Sequence, residues 1–445
     1  MRDGNGFVWG AATAAFQIEG ATTADGRGES IWDRFASVEG NIAHGDTGDP
    51  ACEHYYRWQE DLDLMRSLGL GGYRFSIAWP RIQPSGRGPA NQRGLDFYRA
   101  LVEGMLERDI RPLATLYHWD LPQPLQDEGG WSSRDVVDRF VEYAGIVFDA
   151  LDDLVPAWIT HNEPWVTSFL GYGYGAKAPG IHDWPTAIRA SHHSLLAHGA
   201  AVRAFREAGH AGQIGITLDL TVARPYSESD EDRAAARRLE NYHNGWFLDP
   251  VFRGSYPPEL LELYERRFGP LDAIRPGDLE TIAQPIDYLG VNFYRPNLVT
   301  ASDDGSVLGL VEVPQEAAKT AMGWPVVPEA LTELLVGVKR DYGDVPLVIT
   351  ENGASFEDPP VDGHAVVEDP ERVSYLRDHI AAVELAVGQG VDVRGYYVWS
   401  LLDNFEWEHG YSQRFGIVYV DFETQRRIPK RSALWYRDYI AGVRG

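Results

Sequence analysis

The chain has 445 residues, 44% apolar and 24% charged, and its 40 Lys and Arg against 66 Asp and Glu leave a net charge of −26. This composition supports a large globular core, while the acidic balance excludes nucleic acid and anionic membranes as partners, because both demand a positive surface. A single cysteine, Cys52, excludes an intrachain disulfide.

From the start of the chain, Met1-Arg2-Asp3-Gly4-Asn5-Gly6 offers no basic segment feeding an apolar run of signal-peptide length. No later stretch approaches the ~20 apolar residues of a membrane span. A soluble, cytoplasmic protein is the expectation. Apolar, strand-like runs follow at 8–12, 72–76, 112–116, 157–160, 214–218, 288–292, 347–350 and 393–399. Between them lie amphipathic, helix-like segments such as 55–68, 95–107, 135–151, 186–208 and 371–387. Strands without polar alternation, each followed by a helix, predict an α/β fold: a parallel (β/α)8 TIM barrel with elaborated βα loops, one catalytic domain over 1–445. A doubly wound open sheet is the alternative, but no early strand end carries the glycine fingerprint its phosphate loops need. The polar, acidic stretch 300–330, with Gly305, Gly309 and Gly323, is long enough to shape a binding site.

Two tetrapeptides carry the chemistry. Glu163 in His161-Asn162-Glu163-Pro164 and Glu351 in Thr350-Glu351-Asn352-Gly353 each follow a short apolar run. A carboxylate where a barrel strand ends sits at the mouth, where all strand ends converge. Taken alone, such a glutamate is more often a helix cap or an arginine's partner. Two of them, on different strands, match the paired carboxyls, about 5 Å apart, that cleave a glycosidic bond with retention. Aromatic residues make up 12% of the chain and mix with polar ones in Tyr117-His118-Trp119-Asp120 and Phe405-Glu406-Trp407-Glu408-His409. Ring faces accept the C–H face of a pyranose, and the polar neighbours take its hydroxyls.

Supporting groups are legible too. Asn162 is placed to donate to a sugar hydroxyl or to the nucleophile. Asn292 and Tyr294, closing the sixth strand, are expected to hold Glu351 ionised by hydrogen bonding. Arg74, ending the second, is expected to supply positive charge beside Glu351. Metal ligation is disfavoured. His192, His193 and His198 sit in an alanine-rich helical stretch without a third ligand at zinc spacing. His44-Gly45-Asp46-Thr47-Gly48-Asp49 lacks the distal glutamate of a calcium loop.

The stretch Trp9 to Gly20, Tyr73 to Trp79, His118-Trp119-Asp120, Asn162-Glu163-Pro164, Asn292-Phe293-Tyr294, Thr350-Glu351-Asn352-Gly353 and Trp399 to Tyr419 resembles, in order and over nearly the whole chain, the family 1 glycoside hydrolases, specifically β-glucosidases. The resemblance implies a (β/α)8 barrel and a double displacement on small-molecule β-glucosides, of the kind used in carbohydrate metabolism and cellulose degradation, without cofactor or metal. Glu163 matches the acid/base position and Glu351 the nucleophile. Gln17, His118, Asn162, Glu406 and Trp407 match residues that bind the non-reducing sugar, with Trp119 and Phe415 in the same motifs. Trp399 matches the aromatic platform, Trp324 the residue stacking on the leaving group, and Asn292 and Tyr294 the nucleophile's supports. Glu406-Trp407 differs from the small or basic residues of relatives that take 6-phosphorylated sugars, and Glu163 from the glutamine of thioglucosidases. Val166 stands where relatives often have Cys, a departure on the leaving-group side. A broad β-galactosidase or β-fucosidase, a transglycosidase and an inactive sugar-binding barrel are the alternatives, and intact carboxylates speak against the last.

Overall fold

The computed structural model describes residues 6–359 and 365–444, so the leader expectation at 1–5 lies outside the described residues. Eight strands close a parallel barrel: β1 (Val8–Ala12), β2 (Gly72–Ser76), β3 (Arg111–Tyr117), β4 (Ala157–Asn162), β5 (Gln213–Asp219), β6 (Tyr288–Asn292), β7 (Leu347–Asn352) and β8 (Val393–Trp399). Their order round the barrel is sequential, and β8 pairs back onto β1 in parallel. The eight apolar runs of the sequence are these strands.

Helices cover the outside because their apolar stripes match the barrel wall. Asp135–Leu151 buries Val136, Val137, Phe140, Tyr143, Ala144, Val147, Phe148 and Leu151, a stripe spaced by three and four residues. Trp184–Glu207 starts where the Asp183 carboxylate accepts the Thr186 N–H at 2.9 Å. It carries the three histidines inward. His192 bonds Tyr256 and Asp278, His193 reaches the Trp131 carbonyl, and His198 meets the Thr160 hydroxyl. They are core polar groups with partners. The acidic loop near His44 ties other loops down: Asp49 accepts from the Ala21 N–H and Asp46 from the Tyr411 N–H.

Inside the barrel, Leu113, Ile159, Tyr288 and Tyr397 pack below Trp399. Large rings need small neighbours. A Cβ at Gly10 would lie 2.6 Å from the Tyr397 ring, and one at Gly353 would lie 1.6 Å from the Trp399 carbonyl oxygen. The second contact draws the end of β7 against β8 and sets Glu351 beside Trp399.

The stretch 300–330, read from sequence as a loop, contributes strand structure. Leu310–Glu312 pairs antiparallel with Asn297–Ala301, which in turn pairs with Ala223–Pro225. These short strands are only part-buried, so hydrophobic patterning is too weak to reveal them. A wide helical segment, Val166–Gly173, follows Glu163 after Pro164 and Trp165. Among the described residues no helix is long and apolar enough to cross a membrane.

The loop after β8 is anchored from beneath by buried charge. The Lys430 ammonium donates to Asp358 at 2.7 Å and to Asp403 at 2.8 Å, with all three side chains almost fully buried. Asp403 also binds the Arg414 guanidinium and accepts the Gly416 N–H. Removing the Lys430 cation leaves Asp358 and Asp403 facing each other, with Arg372 and Arg414 left as their cationic partners. Lys430→Met therefore costs about 3–5 kcal/mol of stability, read as a lowered denaturant midpoint; a midpoint equal to the parent's would show that this cluster does not hold the loop.

Candidate active site

The carboxyl ends of the strands bring most of the predicted residues to one cavity of about 440 Å³, with Glu163 and Glu351 both in its wall, while Gln17, Arg74, Asn162 and Asn292 are buried outside that lining. Glu163 follows β4 directly. Its N–H donates to the Thr217 carbonyl on β5 at 2.9 Å, and its backbone sits in the left-handed region with φ 49°. Glu351 lies within β7 rather than after it, because the pairing of β7 with β6 continues past an irregularity to Glu351 and Asn292. Such irregularities aim a side chain out of the regular pleat.

Arg74 organises the centre. It lies mid-strand in β2, fully buried, and donates to Glu351, to the Asn162 side-chain oxygen at 2.6 Å, and to Thr115 and the Thr350 carbonyl at 3.3 Å. Asn162 Nδ2 then donates to His118 Nε2 at 3.0 Å. That bond leaves the His118 proton on Nδ1, which is buried and finds no partner among the described residues. The side-chain oxygen of Gln17 is likewise unpartnered, although its amide donates to Asn404, the Phe405 carbonyl and Glu406. Unpaired buried polar atoms are costly unless something else fills the need.

Tyr294 supports Glu351 as expected, its hydroxyl donating to the carboxylate. Asn292 divides its attention. Thr350 donates to its side-chain oxygen at 2.7 Å, which turns its amide nitrogen toward Glu163 and Asn162. Asn292 therefore contacts the partner carboxyl, Glu163, as well as favouring the charged form of Glu351.

Burial pushes both carboxyls up, and the charge of Glu351 adds to the shift at Glu163, which lies well above the usual glutamate range. At Glu351 the rise from burial is opposed by the Arg74 charge and by hydrogen bonds from Tyr294, Arg74 and Asn292. The larger rise at Glu163 favours the proton there and the negative charge on Glu351. Facing carboxyls of unequal proton affinity are the pattern from which an acid and an ionised partner can be drawn.

Aromatic side chains form the walls. Trp399 ends β8, with the His118 ring 5.9 Å away and nearly parallel to its own. Trp407 packs on Trp119 at 4.5 Å, and the Trp119 N–H donates to the Asn162 carbonyl at 2.9 Å. Toward the opening, Trp324 lies 5.4 Å from Tyr294 and 6.1 Å from Phe415. Glu406 is pushed up to about 8, by burial first, against the pull of Lys177. The outer wall adds Asp219, Lys177, Arg295, Asn297, Glu312 and Glu408. Asp219 ends β5 and was open to the same strand-end reasoning as Glu163; Glu408 sits in the aromatic motif at 405–409, Asn297 and Glu312 in the short outer strands, and Lys177 and Arg295 on loops. Leu308, Leu310, Met322 and Trp324 also line the cavity, as the length of 300–330 suggested.

The model of the family described as "Glycosyl hydrolase family 1" matches residues 4–443. Beta-glucosidase A of Acetivibrio thermocellus is 48% identical over 436 residues, covering 98% of this chain and 97% of that protein. A bifunctional beta-D-glucosidase/beta-D-fucosidase of Bifidobacterium breve is 46% identical over 458 residues, covering 98% and 97%. Among solved structures, the family 1 β-glucosidase of Thermotoga maritima superposes with a TM-score of 0.96 at 45% identity, covering 100% of this chain and 99% of that one. The paired carboxyls, their barrel and a match running almost from end to end agree: this chain belongs to glycosyl hydrolase family 1.

Proposed function

We propose that the chain is a retaining β-glucosidase, a single catalytic barrel acting in the cytoplasm on the non-reducing glucosyl residue of unphosphorylated β-glucosides and short oligosaccharides. The observation that carries the reading is the asymmetry of the two carboxyls, with Arg74 and Tyr294 on Glu351 and with burial and a facing charge on Glu163. The β-glucosidase relatives support the sugar, and the bifunctional one supports β-fucosides as a second glycone. The buried, lone Cys52 is compatible with a reducing compartment.

In this reading the sugar lies on Trp399, its hydroxyls taken by Gln17, His118, Asn162, Glu406 and Trp407, and its leaving group stacks on Trp324. Glu351 attacks the anomeric carbon while Glu163 gives its proton to the departing oxygen. Once Glu351 is esterified its charge is gone, so the proton affinity of Glu163 falls. Glu163 then takes a proton from the incoming water, and attack of that water releases the sugar with its configuration retained.

Three measurements test this. Glu351→Ala should lower turnover about 10⁴-fold or more, and added azide should restore part of it as the inverted glycosyl azide; substantial activity without rescue would assign the nucleophile elsewhere. Tyr294 donates to Glu351 and so lowers its proton affinity. Tyr294→Phe raises that affinity, so the acid limb of kcat/KM against pH should move to higher pH, with the alkaline limb, set by loss of the Glu163 proton, moving less. An acid limb that stays in place would remove Tyr294 from this role. Finally, the Glu408 carboxylate neutralises Lys177, the one ammonium among the described residues at the far end of the pocket, beside the buried Glu406, and leaves no free cation there for a phosphate. An unphosphorylated β-glucoside should therefore be cleaved far better than its 6-phospho counterpart, and matched kcat/KM values showing the reverse would overturn the substrate assignment.

A further inference from the structure

Lys177 lies on the loop that leaves the wide helical turn after Glu163, and Glu408 lies in the short turn Trp407–His409 after β8. They are 231 residues apart in sequence, yet the Lys177 ammonium donates to the Glu408 carboxylate. The ammonium also sits 5.8 Å from the centre of the Trp119 ring, on whose other neighbour, Trp407, the glycone pocket is built. Both charged side chains are largely out of solvent, with 12% and 29% of their surface exposed, and both belong to the cavity wall beside Glu406. A surface pair of this kind contributes little. Here the pair is inside the cavity, where a charge left alone is felt strongly.

We propose that Glu408 is a specificity-determining residue that masks Lys177, and that without it the pocket would accept sugars bearing an anionic group at the end far from the bond cleaved, such as a uronate. This rests on the reading of the cavity as a glycone site whose far end is marked by Glu406 and Trp407. The charges there decide the outcome. Lys177 is the cation, Glu408 its partner, and Glu406 holds a proton more tightly than an ordinary glutamate because it is buried. With Glu408 paired, the wall offers an anionic sugar no net positive charge. With its charge removed, the Lys177 ammonium is free to donate to a carboxylate on the sugar, a charge-assisted bond in a partly dry site.

The test compares kcat/KM for 4-nitrophenyl β-D-glucuronide with that for 4-nitrophenyl β-D-glucoside in the full-length protein. Glu408→Gln should raise the glucuronide-to-glucoside ratio about tenfold, and Lys177→Met in the same chain should cancel the rise. Glu408→Ser removes the same charge and gives the same comparison should the glutamine variant fail to fold. A ratio that stays at the parent value in both single variants, or a rise that survives loss of Lys177, overturns the proposal. A parent protein that leaves the neutral glucoside uncleaved would instead overturn the glycone reading beneath it.

Discussion

A guanidinium with no access to water needs partners for its donors, and Arg74 finds four at the centre of this barrel. Its partners are the Glu351 carboxylate, the side-chain oxygen of Asn162 just before Glu163, and neighbours on β3 and β7. Strands β2, β3, β4 and β7 are thereby tied at one point. Because Asn162 is held by Arg74, its amide faces His118, and because Glu351 is held, its charge stands opposite Glu163. Arg74 thus acts on the geometry and, with burial and the Tyr294 and Asn292 hydrogen bonds, on the protonation of the pair.

A second constraint acts from outside the barrel. The loop after β8 carries Glu406, Trp407 and Phe415, and its base is the buried cluster of Lys430, Asp358, Asp403 and Arg414. An ionic foundation of this kind contributes little to net stability against a well-packed apolar one, but it has one satisfactory arrangement. The long loop inherits that definiteness, which a pocket for a hydroxylated ligand requires.

The strands were legible because burial on both faces writes continuous apolar runs, and the two glutamates because each follows such a run. Strand ends were less so: Glu351 belongs to β7 because its backbone goes on pairing with Asn292, a property of the neighbour strand that residue type does not reveal. The double service of Asn292 depends on a hydroxyl from Thr350 on another strand, and the meeting of Lys177 with Glu408 depends on two loops closing over one mouth. Contacts of this range are set by tertiary packing. The short strands near 300–312 escaped for the opposite reason, being too exposed to leave a pattern.

Trp119, Glu163 and Trp407 all hold left-handed backbone, at φ 78°, 49° and 47°, a conformation their side chains do not favour. Each position carries about 1–3 kcal/mol of local strain, sustained by the packed scaffold around it. The mouth thus holds a share of the backbone strain, alongside loop positions such as Ala51 and Gln425. Glycine at these places would ease the backbone and discard side chains that line the cavity, so stability and the shape of the wall pull apart there. Heat resistance in such a barrel is accordingly free to accumulate in the helices and strand floor, leaving the tense rim untouched.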